Sequence, residues 1–232
     1  MEIRFAIAKV DRFASPEQGD QVEMIERPNG GVSIILAEGK LGGNRSRFVA
    51  RKAVHRLLSL IFEGIHDGAA SRAVLSGLKT EYHGLAELSL NLLSCDLESD
   101  TIILTKNNTI PIIITRNGHG EVLSRENYQG EVDPLTPSVY QFQIESDLTI
   151  IMFSDGVASA GDESDYKVDW CTLLESLSED QKPSVQELAD FVLNQAIGKD
   201  YGEPHDDMTV VAIQVSPAIS QGVRRISVVL PM

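Results

Sequence analysis

The stretch TIIMFSDGVASAGD occupies Thr149–Asp162, and in it a short apolar run ends abruptly at an Asp-Gly pair. The run Ile150–Phe153 is typical of a buried strand. A carboxylate at the exposed end of such a strand is placed for chemistry rather than for packing. We therefore expect a central strand that presents Asp155 at its end.

Three further acidic positions border apolar runs. Asp20 opens the run QVEMIE, Glu38 closes the run GVSIILA, and the pair Asp206-Asp207 opens the run MTVVAIQV. An acidic residue beside a turn usually caps or solvates a loop, so each position taken alone is typical of an ordinary turn. The positions taken together favour a shared site.

Two of these acids are expected to meet through a β-hairpin. The runs Gln21–Glu26 and Gly31–Ala37 are joined by the segment RPNG, in which proline presets a turn and Asn-Gly tolerates positive φ. The residue before the first strand of a hairpin and the residue after the second strand lie at the same end. Local geometry therefore predicts that Asp20 lies beside Glu38.

Composition and charge limit the class of protein. The 232 residues are 42% hydrophobic and 23% charged, as is typical of a globular chain with a sizeable core. The 34 acidic residues outnumber the 20 basic ones, and the net charge of -14 disfavours nucleic acid and anionic membranes as partners. The sequence lacks a membrane-length apolar run and a signal peptide, so we expect a cytoplasmic protein. Cys95 and Cys171 are expected to be buried, reduced thiols.

Helical periodicity follows the hairpin. Apolar residues at three- and four-residue steps predict a helix from about Arg45, capped by Asn44 or Ser46, and a second helix is expected at about Asp67–Lys79. The apolar stripe of the first helix comprises Ala50, Ala53, Val54, Leu57, Leu58, Ile61 and Ile65.

From Ala86 the hydrophobic period is two, which predicts a meander. Its strands Ile102–Lys106 and Thr109–Arg116 are expected to be joined by an Asn107-Asn108 turn and followed by a loop at GHG, residues 118–120.

The last part of the domain combines helices with a final strand. A short helix is expected around Trp170–Leu177, and a longer one begins at a capping box of Ser184 and Glu187. Met208–Val215 is expected to be the last core strand. The whole pattern predicts an α+β fold with antiparallel sheets in a single domain over residues 1–216. The tail over residues 217–232 is expected to form an edge strand or a partner contact.

The acidic positions suit a hard divalent cation. They offer oxygen ligands without a histidine or cysteine cluster, which favours Mg²⁺ or Mn²⁺ over zinc. Carboxylates crowded together without a cation would repel one another, so a metal ion is the natural compensation.

Four short blocks resemble a known family. SDGV at Ser154–Val157 and DDMTVVAI at Asp206–Ile213 look like the closing motifs of the metal-dependent protein phosphatases of type 2C. QGD at Gln18–Asp20 and AEGKLGG at Ala37–Gly43 resemble its first and second metal motifs. The match extends over about residues 3–215, and the bacterial sporulation and stress-response branch is the most similar.

The resemblance implies a fold and a mechanism. The fold would be two antiparallel sheets packed between pairs of helices, in four αββα layers. Two Mn²⁺ or Mg²⁺ ions would activate a water for attack on phosphoserine or phosphothreonine of a signalling phosphoprotein, such as an anti-sigma antagonist. Asp155 and Asp206 would hold one ion, Glu38 would bridge both, and the Gly39 carbonyl and Asp20 would serve the second.

Two positions depart from the family pattern. The bridging residue of the family is aspartate, and here it is Glu38, which would leave one ion if the bridge were misplaced. Lys40 stands where animal members carry a histidine. A catalytically silent binding module is therefore a second hypothesis, and a metal-dependent hydrolase of another substrate is a third.

Basic residues follow the second acidic position. Lys40, Arg45 and Arg47 are candidates for binding a substrate phosphate at a helix N-terminus, although such residues often only face solvent. Arg51, Lys52 and Arg56 are expected to form the exposed face of the helix. His205 beside Asp206 is interpreted as a surface histidine.

Overall fold

Two antiparallel sheets lie face to face between layers of helices. The computed structural model describes residues 1–14, 19–28, 30–117, 119–123, 134–161 and 183–217. Sheet A contains, in spatial order, β1 (Glu2–Val10), β11 (Met208–Ser216), β10 (Leu148–Phe153), β7 (Ile112–Arg116) and β8 (His119–Leu123). Sheet B contains β2 (Asp20–Glu26), β3 (Val32–Leu41), β5 (Ala86–Asp96), β6 (Thr101–Lys106) and β9 (Ser138–Gln143), with the short β4 (Asn44–Arg45) paired to β3.

Helices cover the outer face of each sheet. The helices α1 (Arg47–Phe62) and α2 (Asp67–Glu81) pack on sheet B. The long α4 (Val185–Lys199) and the one-turn α3 (Asp155–Ala158) lie against sheet A. This is the expected four-layer αββα arrangement. None of the helices in the described ranges is both long and apolar enough to cross a membrane.

Both faces of the central strand are buried, as the sequence pattern predicted. Ile150 and Met152 face the other sheet, while Ile151 and Phe153 face the helix layer of α4. All six residues of β10 are buried. Packing on both faces therefore fixes the position of β10, and Asp155 lies just beyond its end at the edge of the sandwich.

The helix starts follow the capping signals in the sequence. Ser46 caps α1 by accepting a hydrogen bond from Val49 N, and Ser184 and Glu187 form the predicted capping box of α4. The apolar stripe of α1 is confirmed except at its end, because Ile65 lies beyond the helix and is 39% exposed.

The predicted meander is wrong after β6. Strand β7 pairs with β10 and β8 in sheet A, so the chain crosses from one sheet to the other after Lys106. Asn107 explains the crossing. Its side chain exchanges hydrogen bonds with Leu90 N at 2.8 Å and Leu88 O at 2.7 Å, which ends the pairing of β6 and fixes the chain at that end of β5.

Of the other sequence predictions, one is corrected by the structure and two fall largely on residues that the structure does not describe. The loop predicted at residues 118–120 contains the start of an edge strand, since β8 begins at His119. The short helix expected around Trp170–Leu177 and most of the tail over residues 217–232 lie outside the described residues. The single domain over residues 1–216 stays a prediction.

A buried ion pair attaches α2 to sheet B. Arg27 Nη1 donates hydrogen bonds to Asp67 Oδ1 at 2.7 Å, to Ser94 Oγ at 2.8 Å and to Ser33 Oγ at 3.0 Å. The Arg27 and Asp67 side chains are 12% and 3% exposed. The cluster joins β3, β5 and the residue after β2 to the first residue of α2.

We predict that Arg27→Met lowers the free energy of unfolding by about 3 kcal/mol, because it leaves the buried Asp67 carboxylate without its partner. Urea unfolding followed by circular dichroism measures the change. The matched control is Arg56→Met, which removes a more exposed ion pair with Glu81 and is expected to change stability far less. Equal effects of the two substitutions would contradict the structural role of Arg27.

Candidate metal and phosphate site

The hairpin of β2 and β3 brings two acids together. Asp20 and Glu38 are direct partners in the register of this antiparallel pair, as the turn signals predicted. Both side chains lie at the end of sheet B that is remote from the turn. Asp20 is 2% exposed and Glu38 is 5% exposed, so two carboxyl groups are buried side by side.

Asp155 reaches the same place from sheet A. It lies two residues after the end of β10 and begins α3. Glycine is required at position 156, because a Cβ there would overlap the carbonyl oxygen of Asp207 and lie 3.0 Å from Asp206 Cβ. The close approach brings the turn after β10 against the loop before β11.

In the described part of the chain, Asp20, Glu38 and Asp155 form a compact carboxylate cluster. One oxygen from each residue lies within 4.8 Å of the other two. Two oxygens of the cluster, Glu38 Oε1 and Asp155 Oδ1, are buried and accept no hydrogen bond, although Glu38 Oε1 lies 3.3 Å from the Lys40 ammonium group. An all-oxygen donor set of this kind fits a hard divalent cation such as Mg²⁺ or Mn²⁺.

The pKa values of two of these groups reflect the crowding. Burial raises the pKa of Asp20 to about 6, although hydrogen bonds from Thr209 and Ser154 lower it. Burial, and then the charge of Asp155, raises the pKa of Glu38 to about 7. A cation placed among these oxygens would favour their ionised forms.

Thr209 on β11 and Asp207 just before it hold Asp20 in place. The sequence predicted no function for these two residues. Thr209 Oγ1 donates to Asp20 Oδ2 at 2.7 Å, and Ser154 Oγ accepts a hydrogen bond from Thr209 N at 2.9 Å. The Asp207 carboxylate accepts from the backbone N–H groups of Arg12, Gly19 and Asp20. The one available signal was a buried threonine inside the apolar run of β11.

Asp206 lies next to the cluster but pairs elsewhere. Its carboxylate forms an ion pair with Arg45 and accepts a hydrogen bond from Asp207 N at 2.6 Å. It is not one of the three acids whose oxygens converge. Its role as a metal ligand stays a prediction.

Lys40 places its ammonium group beside the cluster. Lys40 Nζ lies 3.3 Å from Glu38 Oε1 and 3.6 Å from Asp155 Oδ2. Burial alone would lower the pKa of Lys40, but the charges of Glu38 and Asp155 raise it above its ordinary value. The lysine is therefore a cation held against the two acids.

Gly39 and Arg47 complete the set of predicted residues. The Gly39 carbonyl accepts a hydrogen bond from Ser46 N at 2.7 Å, which leaves one lone pair for a ligand. A Cβ at position 39 would lie 2.5 Å from Ala50 N, so glycine is needed where α1 crosses β3. Arg47 lies at the start of α1 and lines an open groove of about 440 Å³ with Phe48, Arg51, Lys52 and His55.

Two remaining side chains lie outside the carboxylate cluster. His205 is a surface residue, since its side chain is 62% exposed and its Nδ1 lies 3.2 Å from Asp200 Oδ2. Cys95 is buried as expected, and burial raises the pKa of its thiol to about 12. Cys171 lies outside the described residues.

This arrangement of sheets and helices is the fold of PP2C phosphatase domains. The phosphatase domain of the cell fate determinant SpoIIE from Bacillus subtilis superposes with a TM-score of 0.71 and 21% identity, covering 99% of this chain and 98% of that chain. The catalytic domain of the serine/threonine protein phosphatase PstP, in complex with two manganese ions, has a TM-score of 0.65 and 18% identity over 93% of this chain and 99% of that chain.

The sequence defines the family more narrowly. The model of the Stage II sporulation protein E (SpoIIE) family matches residues 49–216, and the chain belongs to this family. The Stage II sporulation protein E of Priestia megaterium is 24% identical over 198 residues, which is 85% of this chain. This chain spans 34% of the length of that relative. The resemblance to the sporulation and stress-response branch is thus confirmed.

The raised pKa values predict a pH-dependent stability of the metal-free protein. The folded state holds protons on Asp20 and Glu38 up to about pH 6 and 7, whereas the ordinary values are 3.8 and 4.5. The folded state therefore binds more protons than the unfolded state in this window, and stability falls as pH rises through it. Glu38→Gln removes the Glu38 contribution.

We predict that Glu38→Gln becomes more stable relative to wild type as pH rises from 5 to 7.5, by on the order of 2 kcal/mol. Chemical unfolding in EDTA at several pH values measures the difference. The exposed Glu63 supplies the control substitution, Glu63→Gln, and the pH dependence of Glu38→Gln should exceed that of this control. A Glu38→Gln difference that stays constant with pH would refute the prediction.

We predict that Asp207→Ala lowers the free energy of unfolding by about 3 kcal/mol, because it removes a buried acceptor shared by three backbone donors. Urea unfolding measures the loss, and Asp190→Ala on the exposed face of α4 is the control. A cost no larger than that of Asp190→Ala would show that Asp207 does not anchor the segment before β2.

Proposed function

We propose that this chain is a metal-dependent serine/threonine phosphoprotein phosphatase. The observation that carries the proposal is the convergence of Asp20, Glu38 and Asp155, with two buried carboxylate oxygens that accept no hydrogen bond. Family membership and the shared fold support the same activity.

The cofactor would be Mn²⁺ or Mg²⁺. Asp155 and Asp206 are proposed to hold one ion, and the Gly39 carbonyl and Asp20 the second, with Glu38 between the two. The two manganese ions of PstP support this number for a related fold. Bound ions of this kind supply an activated water for attack on a phosphomonoester and neutralise charge on the phosphoryl oxygens.

The extra methylene of Glu38 is compatible with a metal site. Its carboxylate reaches the cluster with Asp20 and Asp155, while the side chain stays 5% exposed. Because Asp20 is its direct strand partner, the position of Glu38 is set by the sheet.

The protein's own residues would orient the substrate. Thr209 holds Asp20 by a hydrogen bond, which keeps one carboxylate oxygen directed toward the site. Lys40, Arg45 and Arg47 lie along the side where α1 begins and would bind the phosphate or its flanking residues. The thiol of Cys95 is excluded as a nucleophile, since it is buried and its pKa is raised to about 12.

The substrate would be a phosphoserine or phosphothreonine in a cytoplasmic regulatory protein. The matched relatives are sporulation proteins, so a regulator of the anti-sigma antagonist type is the proposed partner. The net charge of -14 supports a protein substrate over nucleic acid.

A binding module without catalysis is the second candidate function. It is favoured by the ion pairs that Lys40 makes with Glu38 and Asp155, because an ammonium group there neutralises part of the charge that metal ions would neutralise. In this case the protein would bind a phosphoprotein without hydrolysing it.

We predict Mn²⁺-dependent hydrolysis of p-nitrophenyl phosphate and of a phosphoserine peptide by the purified chain. Asp155→Asn should lower kcat/KM by at least about 100-fold, because it weakens a metal ligand. The exposed Asp190→Asn serves as control. If wild type is inactive while Glu38→Asp is active, the binding-module function is correct. Inactivity of both proteins with bound Mn²⁺ would refute the phosphatase.

A further inference from the structure

Lys40 and Arg45 come from one short hairpin. Strand β3 turns through Gly42 and Gly43, whose φ angles of +59° and +82° suit glycine, into the two-residue strand β4. Lys40 and Arg45 are direct partners in this antiparallel pair. Residues opposite each other in such a pair project from the same face, so the hairpin directs two cations the same way.

Each of these cations is paired with an acid of the candidate metal site. Lys40 Nζ lies 3.3 Å from Glu38 Oε1 and 3.6 Å from Asp155 Oδ2. Arg45 forms an ion pair with Asp206, and the two side chains are 20% and 18% exposed.

Packing holds Arg45 in this position. A Cβ built on Gly19 would lie 3.6 Å from Arg45 Cδ and 3.7 Å from Asp207 Oδ2. The stem of the arginine therefore passes beside the segment that leads into β2, and its guanidinium group pairs with Asp206. The ion pair is part of the packed structure rather than a free surface contact.

We infer that Lys40 and Arg45 are displaceable internal counter-ions that compete with metal ions for the carboxylates. A divalent ion bound by Glu38, Asp155 and Asp206 would repel the ammonium and guanidinium groups that are paired with the same carboxylates. Metal binding therefore releases both side chains from these acids.

Displaceable counter-ions affect both the stability of the metal-free protein and the order in which metal and phosphate bind. The metal-free protein is stabilised by its own cations, so it folds without metal. Once released, Lys40 and Arg45 are free to contact a substrate phosphate, which makes phosphate binding follow metal binding. The inference rests on the metal site of the proposed function but not on catalysis.

The test compares Mn²⁺ affinity and metal-free stability in Lys40→Gln, Arg45→Gln and wild type. Isothermal titration calorimetry at pH 7.5 without substrate should show Mn²⁺ binding that is about tenfold tighter in each variant, since a competing charge is removed. The Tm in EDTA should fall in both variants. Lys40→Arg, which keeps the charge, should behave as wild type and remains informative if a glutamine variant fails to fold.

Arg51→Gln is the matched control for charge loss, because Arg51 is exposed on α1 one turn after Arg47. Its Mn²⁺ affinity should stay within about twofold of wild type. The inference is overturned if Lys40→Gln and Arg45→Gln bind Mn²⁺ no tighter than Arg51→Gln, or if no protein binds Mn²⁺. Tighter binding together with absent phosphatase activity would support the inference while refuting the proposed function.

Discussion

The structure depends on burying two carboxyl groups side by side. Direct pairing of Asp20 with Glu38 at the end of the β2–β3 hairpin places both where water is almost excluded. Buried like charges are unfavourable unless hydrogen bonds or cations compensate them. The neighbouring groups provide that compensation, with a hydroxyl from Thr209 on Asp20 and an ammonium group from Lys40 on Glu38.

Buried carboxylates have different surroundings at the two ends of sheet B. At one end, Arg27 satisfies Asp67 and two serines through hydrogen bonds of 2.7 to 3.0 Å. At the other end, oxygens of Asp20, Glu38 and Asp155 converge within 4.8 Å of one another. The first end pairs one acid with an arginine, whereas the second crowds three acids together, as is expected of a functional site.

The sequence was sufficient where local chemistry decides the outcome. The RPNG turn sets the hairpin register, and with it the meeting of Asp20 and Glu38. The apolar run before Asp155 predicted a strand buried on both faces. The sequence was insufficient to distinguish the roles of the two adjacent aspartates. Asp206 forms an ion pair with the Arg45 side chain, whereas Asp207 accepts backbone hydrogen bonds. The choice depends on segments about 160 to 195 residues away in the chain, which a local pattern does not contain.

The crossing after β6 was missed for the same reason. An Asn-Asn pair is typical of a hairpin turn, but Asn107 bonds to the backbone of β5 and the chain continues in the other sheet. Only the register of the neighbouring strand distinguishes these outcomes. The helices themselves were predictable, because the apolar faces of α1 and α4 follow the helical period, whereas the four-layer order was implied only by the family resemblance.

The position of β11 between β1 and β10 has a consequence for biosynthesis. The last described strand inserts into the middle of sheet A, and it carries Thr209, while Asp207 just before it anchors the segment leading to Asp20. A nascent chain emerging from the ribosome lacks these contacts until its C-terminal part has been made. The buried Asp20 carboxylate thus gains its hydroxyl partner only after β11 has been synthesised, although Asp20 itself is made 189 residues earlier.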